Sequence, residues 1–285
     1  MAPSPVVNPF HLPSDLADEW YRRLGVARPG DAAGLAALYR AWCATVPFDS
    51  VAKNLALTEG RTPPGDDPVA VTEEFLATGL GGLCWGHCAV LAALLDEAGI
   101  TASVGLDRMA RHDGRIDFHS VVVVHDADGR WLLDPVHVSG SPLRLAPGAR
   151  GDHPVIHTAI DEDGPGRLTH TVEGHGRPAF RYVLLGTNLD RDDVAAFCAV
   201  SARFSGVPDG RLALRRVTPT THESLRVLGP DDGYPRPVPA VQRQTADGTT
   251  VEPHEDVHTA FAALGVHEAG VARARAAGLL AALEH

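Results

Sequence analysis

The sequence predicts an α+β chain in three successive regions: helical, then an antiparallel sheet or barrel, then mixed helix and strand. Three observations predict it. Up to about residue 98, apolar residues recur at helical spacing. From 101 to 186 the period shortens to strand alternation, with turn residues between the runs. After 190, single helices and strands follow one another. At 285 residues the chain is longer than one small core usually holds. The expected divisions are 1–98, a helical bundle; 99–189, a β-barrel; and 190–285, an α/β part.

Each element has a local reason. Leu16, Trp20, Tyr21 and Leu24 form one face of a helix over 15–24 that Gly25 closes. Asp31 can cap a second helix over 32–46, which Pro47 stops. A Pro/Gly/Asp loop occupies 60–68, and "VTEEFLATG" reads as a short third helix. The fourth begins near Cys84 and runs to Gly99, a C-cap residue. "TASVGLDRMA", "DFHSVVVVHDA" and "RWLLDPV" read as strands, and Asp128-Gly129 between the last two is a hairpin signal. "PLRLAPG", "GRLTHTVEGHG" and "AFRYVLLG" continue the pattern. "RDDVAAFCAVSARF" is a helix opened by Asp190 or Asp192. "RLALRRVTP", "ESLRVLG" and "AVQRQTADGTTVE" read as strands, and "DVHTAFAALGV" and "HEAGVARARAAGLLAALEH" as terminal helices.

Composition narrows the function. A net charge of −11 argues against nucleic acid and anionic membranes as partners, since both attract a basic surface. No apolar run reaches the ~20 residues of a membrane span, and the N-terminus carries no secretory pattern. The four cysteines, Cys43, Cys84, Cys88 and Cys198, are too few and scattered for a disulfide framework, so a reducing cytoplasm is the expected location.

One cysteine stands at a chemically informative place. "GGLCWGHCAV" puts Cys84 at the mouth of a helix, after Gly81 and Gly82. Unpaired backbone N–H groups and the positive end of the helix dipole favour a thiolate there. The same N–H groups can stabilise an oxyanion. A nucleophilic cysteine also needs a base and a group to orient that base. His119 lies at the start of one strand and Asp134 at the end of the next. The centre of the 119–134 segment falls at about 126–127, near the hairpin turn, so antiparallel pairing brings the two together. Cys84, His119 and Asp134 therefore make a candidate catalytic triad.

Singly, each has an ordinary explanation: a small buried thiol, a structural histidine among fifteen, and a turn former before Pro135. The joint pattern favours catalysis. Cys84, His87, Cys88 and His119 do not have a standard zinc spacing, and no metal is expected. His112, His125, His137, His153, His157, His170 and His175 read as exposed polar residues of turns and strands. Phe48 and Trp85 are candidates to line an acyl pocket. There is no phosphate-binding glycine motif. Arg203, Arg215, Arg216 and Arg226 are candidate phosphate contacts for which exposed surface charge is the plainer reading.

The chain resembles the arylamine N-acetyltransferases over roughly residues 8 to 280. Gly81, Gly82 and Cys84 match that family's Gly-Gly-x-Cys motif; "FHSVVVV" matches the strand opened by its catalytic histidine, and "RWLLDPV" the strand before its aspartate. "VPFDSV", "SPLRL" and residues 190–219 resemble further segments. The resemblance implies a helical bundle, a β-barrel and an α/β lid around a cysteine-protease-like Cys-His-Asp core. It implies a ping-pong reaction in which Cys84 takes an acyl group from acetyl-coenzyme A or another thioester and passes it to a small-molecule amine. No permanent cofactor is implied.

The departures are specific. Leu80 replaces an arginine, Gly86 a glutamate and Cys88 an asparagine. Asp49-Ser50 stands for Glu-Asn, and Pro135-Val136-His137-Val138 for Val-Gly-Phe-Gly. The first changes are expected to remove an ion pair that braces the nucleophile loop, and the last to rebuild the acceptor pocket around His137. They point to a specialised acyltransferase, supplied by coenzyme A or an acyl carrier protein and forming an amide in secondary metabolism. Two other classes share the residues: a cysteine amidase or thioesterase, where water replaces the amine, and a non-catalytic relative acting as a binding module.

Overall fold

A computed structural model of the chain describes residues 6, 8–63, 65–110, 116–127, 129–137, 140–174, 179–204 and 212–283. The N-terminal helices are α1 (Ser14–Leu24), α2 (Ala32–Thr45), α3 (Val51–Thr58), α4 (Pro68–Thr78) and α5 (Cys84–Glu97), with a two-residue strand, β1 (Phe48–Asp49), before α3. Asp31 opens α2 by accepting from Gly34 N at 2.8 Å, and Asp67 caps α4 through Val69 and Ala70. Trp20 of α1 stacks on Trp42 of α2 and on Phe75 of α4, with ring centroids 4.8 and 4.5 Å away. Every residue of α5 from Cys84 to Leu95 is buried. A helix covered on all sides is the core of the protein, so its first residue is held by the whole bundle.

The central strands are β2 (Ala102–Ala110), β3 (Ile116–Asp126), β4 (Gly129–Leu133), β5 (Leu143–Arg144), β6 (Ile156–Glu162), β7 (Leu168–Gly174) and β8 (Phe180–Leu189). They form one antiparallel sheet in the order β5-β4-β3-β2-β8-β7-β6. Its edges nearly meet: Gly148 N donates to Ile160 O and Gly151 N to Thr158 O, at 2.8 and 2.9 Å. The result is a nearly closed barrel. Alternation along β3 divides its side chains. Val121 and Val123 pack with Leu132, Leu143, Leu145 and Ile160, while Val122 and Val124 join the core around α5.

The rest comprises α6 (Arg191–Phe204), β9 (Leu214–Val217), β10 (His222–Leu228), β11 (Val238–Thr245), β12 (Gly248–Pro253), α7 (Val257–Ala263) and α8 (Glu268–Ala276). Asp190 opens α6 through Asp193 N. The second sheet runs β1-β9-β10-β11-β12, so its edge strand comes from the N-terminal region. Val51 and Leu80, from the same region, sit in the core formed with α7 and α8.

Three elements escaped the sequence reading. β1 is too short to carry a period. α3 turns Lys53 and Asn54 inward, which hides its apolar face. β6 buries Ile156, Thr158 and Ile160, an alternation that the threonine conceals. The terminal helix expected over 267–285 stops at Ala276, and Gly278 adopts φ 71°. Asp128, His112, Val138 and His175 lie outside the described residues, as does the side chain of Arg203.

Candidate active site

Cys84 is the first residue of α5. Leu83 before it offers no side chain to cap the helix, so the first-turn N–H groups are not taken by a cap. Gly82 makes the turn into the helix at φ 80°, a left-handed conformation that favours glycine. Gly81 is needed for space: a Cβ there would lie 2.3 Å from the Pro47 carbonyl and 2.8 Å from His87 Nε2.

The brace expected to be missing is present in another form. Asp49 of β1 is fully buried, and its Oδ2 accepts from Gly82 N at 2.7 Å while its Oδ1 accepts from Val51 N at 2.8 Å. Its own N–H donates to Gly82 O at 3.0 Å. Burial pushes this carboxyl up to about 6 against its three backbone donors. Beneath the loop, His87 Nδ1 accepts from Trp42 Nε1 at 3.2 Å, and burial pushes His87 down to about 4, so it stays neutral. His87 is a support of the loop. Among the described residues, no group of three His, Cys, Asp or Glu side chains is arranged to hold a metal.

The structure brings Cys84, His119 and Asp134 together. His119 Nε2 lies 3.0 Å from Asp134 Oδ2, both side chains being almost wholly buried. Opposite charge draws the two together. The β3–β4 pairing runs from Val122↔Leu133 to Asp126↔Gly129. Asp134 therefore lies one residue past the last pair, and the chain turns back at 135–137 to bring it towards His119. Asp134 Oδ1 accepts from Val136 N and His137 N at 3.0 and 2.9 Å. Tyr39 of α2 fixes the backbone: its hydroxyl donates to Asp134 O at 2.7 Å and accepts from Asp134 N at 3.0 Å.

Electrostatics separates Cys84 from the other thiols. Burial pushes it up, but the hydrogen bond and charge of His119 and the Ser120 N–H outweigh burial and hold it below the ordinary thiol value. Burial pushes Cys43 and Cys88 well up, and Cys198 up to about 12. His119 is also opposed by burial, yet Asp134 and Cys84 raise it well above the ordinary imidazole value. Burial would raise Asp134, and His119 holds it well below the usual carboxylate range. A thiolate–imidazolium pair beside a carboxylate is the arrangement these shifts describe.

The triad opens on a cavity of about 150 Å³. Phe48 and His137 line it, together with Phe118, Phe180, Tyr182 and Arg215. His137 Nε2 lies 2.6 Å from the Tyr182 hydroxyl, and its ring centroid 5.0 Å from that of His119. Burial pushes His137 well below the ordinary imidazole value. Trp85 does not line the cavity. The helix turns it into the core, where its ring stacks on Phe197, which in turn packs on Phe118. Arg215, paired with Phe48 across β1 and β9, lays its guanidinium 4.5 Å above the Phe48 ring. Arg216 is held by Glu223 and by Ala263 O, and Arg226 by Gln242 and Asp232. Of the histidines read as exposed, only His157 is so among the described residues; His125 is half-buried, its Nε2 3.0 Å from Ser103 Oγ. His137 stands in the cavity wall, and His153 and His170 are buried. Each lies in a segment whose register the sequence does not give.

No family model matches the chain, and no curated protein matches it significantly. Solved structures do. The arylamine N-acetyltransferase from M. tuberculosis superposes with a TM-score of 0.72 at 18% identity, over 92% of this chain and 98% of that one. The Nocardia farcinica enzyme gives 0.72 at 19% identity, over 99% and 100%. An arylamine N-acetyltransferase from Bacillus cereus, described as having a unique Cys-His-Glu catalytic triad, gives 0.69 at 14%, over 89% and 99%. The fold is that of the arylamine N-acetyltransferases.

Proposed function

We propose that this chain is a cysteine-dependent N-acyltransferase of the arylamine N-acetyltransferase type, passing an acyl group from a thioester to an amine by a ping-pong route. The observation that carries this reading is a buried Cys84–His119–Asp134 group at one end of a mostly apolar cavity. In the first half-reaction the Cys84 thiolate attacks the thioester carbonyl. The oxyanion forms at the first turn of α5, whose uncapped N–H groups can receive it. Its collapse expels the donor thiolate, which takes the proton carried by His119. In the second, an amine attacks the acyl-cysteine; His119, now neutral, accepts a proton from the nitrogen, and Cys84 leaves as the thiolate. Asp134, held by two backbone N–H groups and Tyr39, fixes the imidazole and its charge throughout.

A cavity of about 150 Å³ suits a small acyl group better than a long chain. The donor is coenzyme A or an acyl carrier protein, and the altered wall at Pro135–His137 supports a dedicated amide-forming step in secondary metabolism. The test is product analysis with acetyl-coenzyme A and longer acyl thioesters, with and without an aromatic amine. Amide that requires both the amine and Cys84 is the expected result, and Cys84→Ala should make none. Free acid as the sole product, whether or not the amine is present, would convert the reading to a hydrolase. No turnover of any coenzyme A or carrier-protein thioester would leave a binding module.

A further inference from the structure

The barrel interior holds a second pair of ionisable side chains that the mechanism above does not use. His170 of β7 and Asp107 of β2 are 1% and 0% exposed. His170 Nδ1 lies 3.4 Å from Asp107 Oδ2 and 3.9 Å from Asp134 Oδ2. The register explains the meeting. Asp107 stands directly opposite His119 across β2 and β3, and His170 opposite Tyr182 across β7 and β8; directly opposite residues share a face. Among the described residues, Asp107 Oδ1 and His170 Nε2 have no hydrogen-bond partner. Burying such groups is unfavourable, and a fold that needed only filling there would do better with leucine or valine.

We propose that His170, held by Asp107, is a positioning residue for Asp134, so that the triad continues inward as Cys84–His119–Asp134–His170–Asp107. The inference rests on the reading of Cys84 as the nucleophile. Both neighbours of His170 Nδ1 are carboxylate oxygens, so that nitrogen carries the hydrogen and the positive edge of the ring faces Asp134. This does two things. It places a positive edge on the inner side of Asp134 Oδ2, so that the oxygen is lodged between His170 Nδ1 and His119 Nε2 and does not swing sideways out of the site. It also offsets the second carboxylate, Asp107, which would otherwise add negative potential at the site. Among the described residues, the other groups around the pair are the Tyr182 ring, 6.0 Å from His170, and, through the two carboxylates, His119, His137 and the buried thiols Cys43 and Cys88. None of them supplies a donor to Asp134 Oδ2 from the inner side.

The test reads Cys84 directly and needs no substrate. The rate of alkylation by iodoacetamide is followed from pH 4 to 10 in wild type, His170→Asn and Asp107→Asn, with melting temperatures alongside. Losing a positive edge makes both the thiol and the imidazolium harder to deprotonate. Both limbs of the His170→Asn profile should therefore move up, by about half a pH unit. Asp107→Asn keeps an oxygen that can accept from His170 Nδ1 and removes the negative charge opposite His119, so it should move both limbs the other way, down, by a smaller amount. Acyl transfer by His170→Asn should fall about tenfold in kcat with little change in KM. A melting temperature that drops while the profile stays in place would reduce the pair to a structural role and overturn the proposal. A wild-type profile with an ordinary thiol midpoint would instead defeat the assignment of Cys84. If His170→Asn does not fold, ¹⁵N spectra of the wild-type imidazoles decide: a hydrogen on Nδ1 of His170 is required, and its absence would overturn the proposal.

Discussion

At the scale of single residues, Asp49 is the most informative difference from the arylamine N-acetyltransferase motif that the sequence resembles. Its carboxyl holds Gly82 in place, yet burial pushes it up to about 6. A carboxyl raised from about 4 favours the folded state when neutral. Its contribution is full below about pH 4 and is lost as pH rises towards 6, a change of roughly 3 kcal/mol. His87, pushed down to about 4, acts the other way: its contribution is full above about 6.5 and is lost as pH falls towards 4. The two slopes oppose each other between pH 4 and 6. His137, also pushed well down by burial, adds to the histidine slope. Asp49→Asn removes only the opposing carboxyl slope, so the variant should lose more stability than wild type on acidification across this range. Urea unfolding at pH 4, 5 and 6 measures it; parallel curves for the two proteins would refute the account. The variant also sets an amide NH₂ against Gly82 N–H, or turns one against Val51 N–H, and acylation of Cys84 should slow at least about tenfold. Trp85→Phe, by contrast, should cost about 1–2 kcal/mol of stability and leave acyl preference unchanged, because the ring lies in the core and not in the cavity wall.

At the scale of elements, the two loop glycines serve different purposes, and substitution separates them. Gly81→Ala drives a Cβ into backbone and into His87, so the loop must move; a loss of about 2–4 kcal/mol and of most thiol reactivity is expected. Gly82→Ala meets nothing within 4 Å and is strained only by its φ of 80°, a cost of about 1–2 kcal/mol. Thermal melts with thiol titration distinguish the two. These elements also show what the sequence could tell. Cys84 was legible because two glycines and a following apolar helix announce a helix mouth. His119 and Asp134 were legible because a tight hairpin makes nearness in space follow from spacing. Trp85 was misplaced because adjacency along a helix is not adjacency in space: one step turns the side chain by about 100°. Asp107 and His170 were out of reach because their meeting depends on the register of β2, β3, β7 and β8, which no local signal fixes. The bracing by Asp49 was hidden because a shorter acid in "VPFDS" reads as a loss until β1 is seen to run beside Gly82.

At the scale of the molecule, the three regions are interlocked. The second sheet takes β1 as its edge, and the core around α7 and α8 includes Val51 and Leu80 from the N-terminal region. A fragment covering 190–285 is therefore expected to show no cooperative unfolding transition by circular dichroism, and the whole chain to unfold in one step; a fragment that melts cooperatively would contradict this. The same interlock places Phe48 and Arg215 on opposite strands of one sheet and both in the cavity wall, so the pocket is assembled from all three regions. The central claim is that this assembly presents Cys84 as an acyl acceptor. It is tested most directly by quenching the protein in acid after brief exposure to acetyl-coenzyme A, without amine, and mapping the added mass by peptide sequencing. The account predicts one acetyl group per chain, on Cys84, lost on addition of an aromatic amine and absent from Cys84→Ala. An acetyl group on another residue, or equal labelling of wild type and Cys84→Ala, would contradict it.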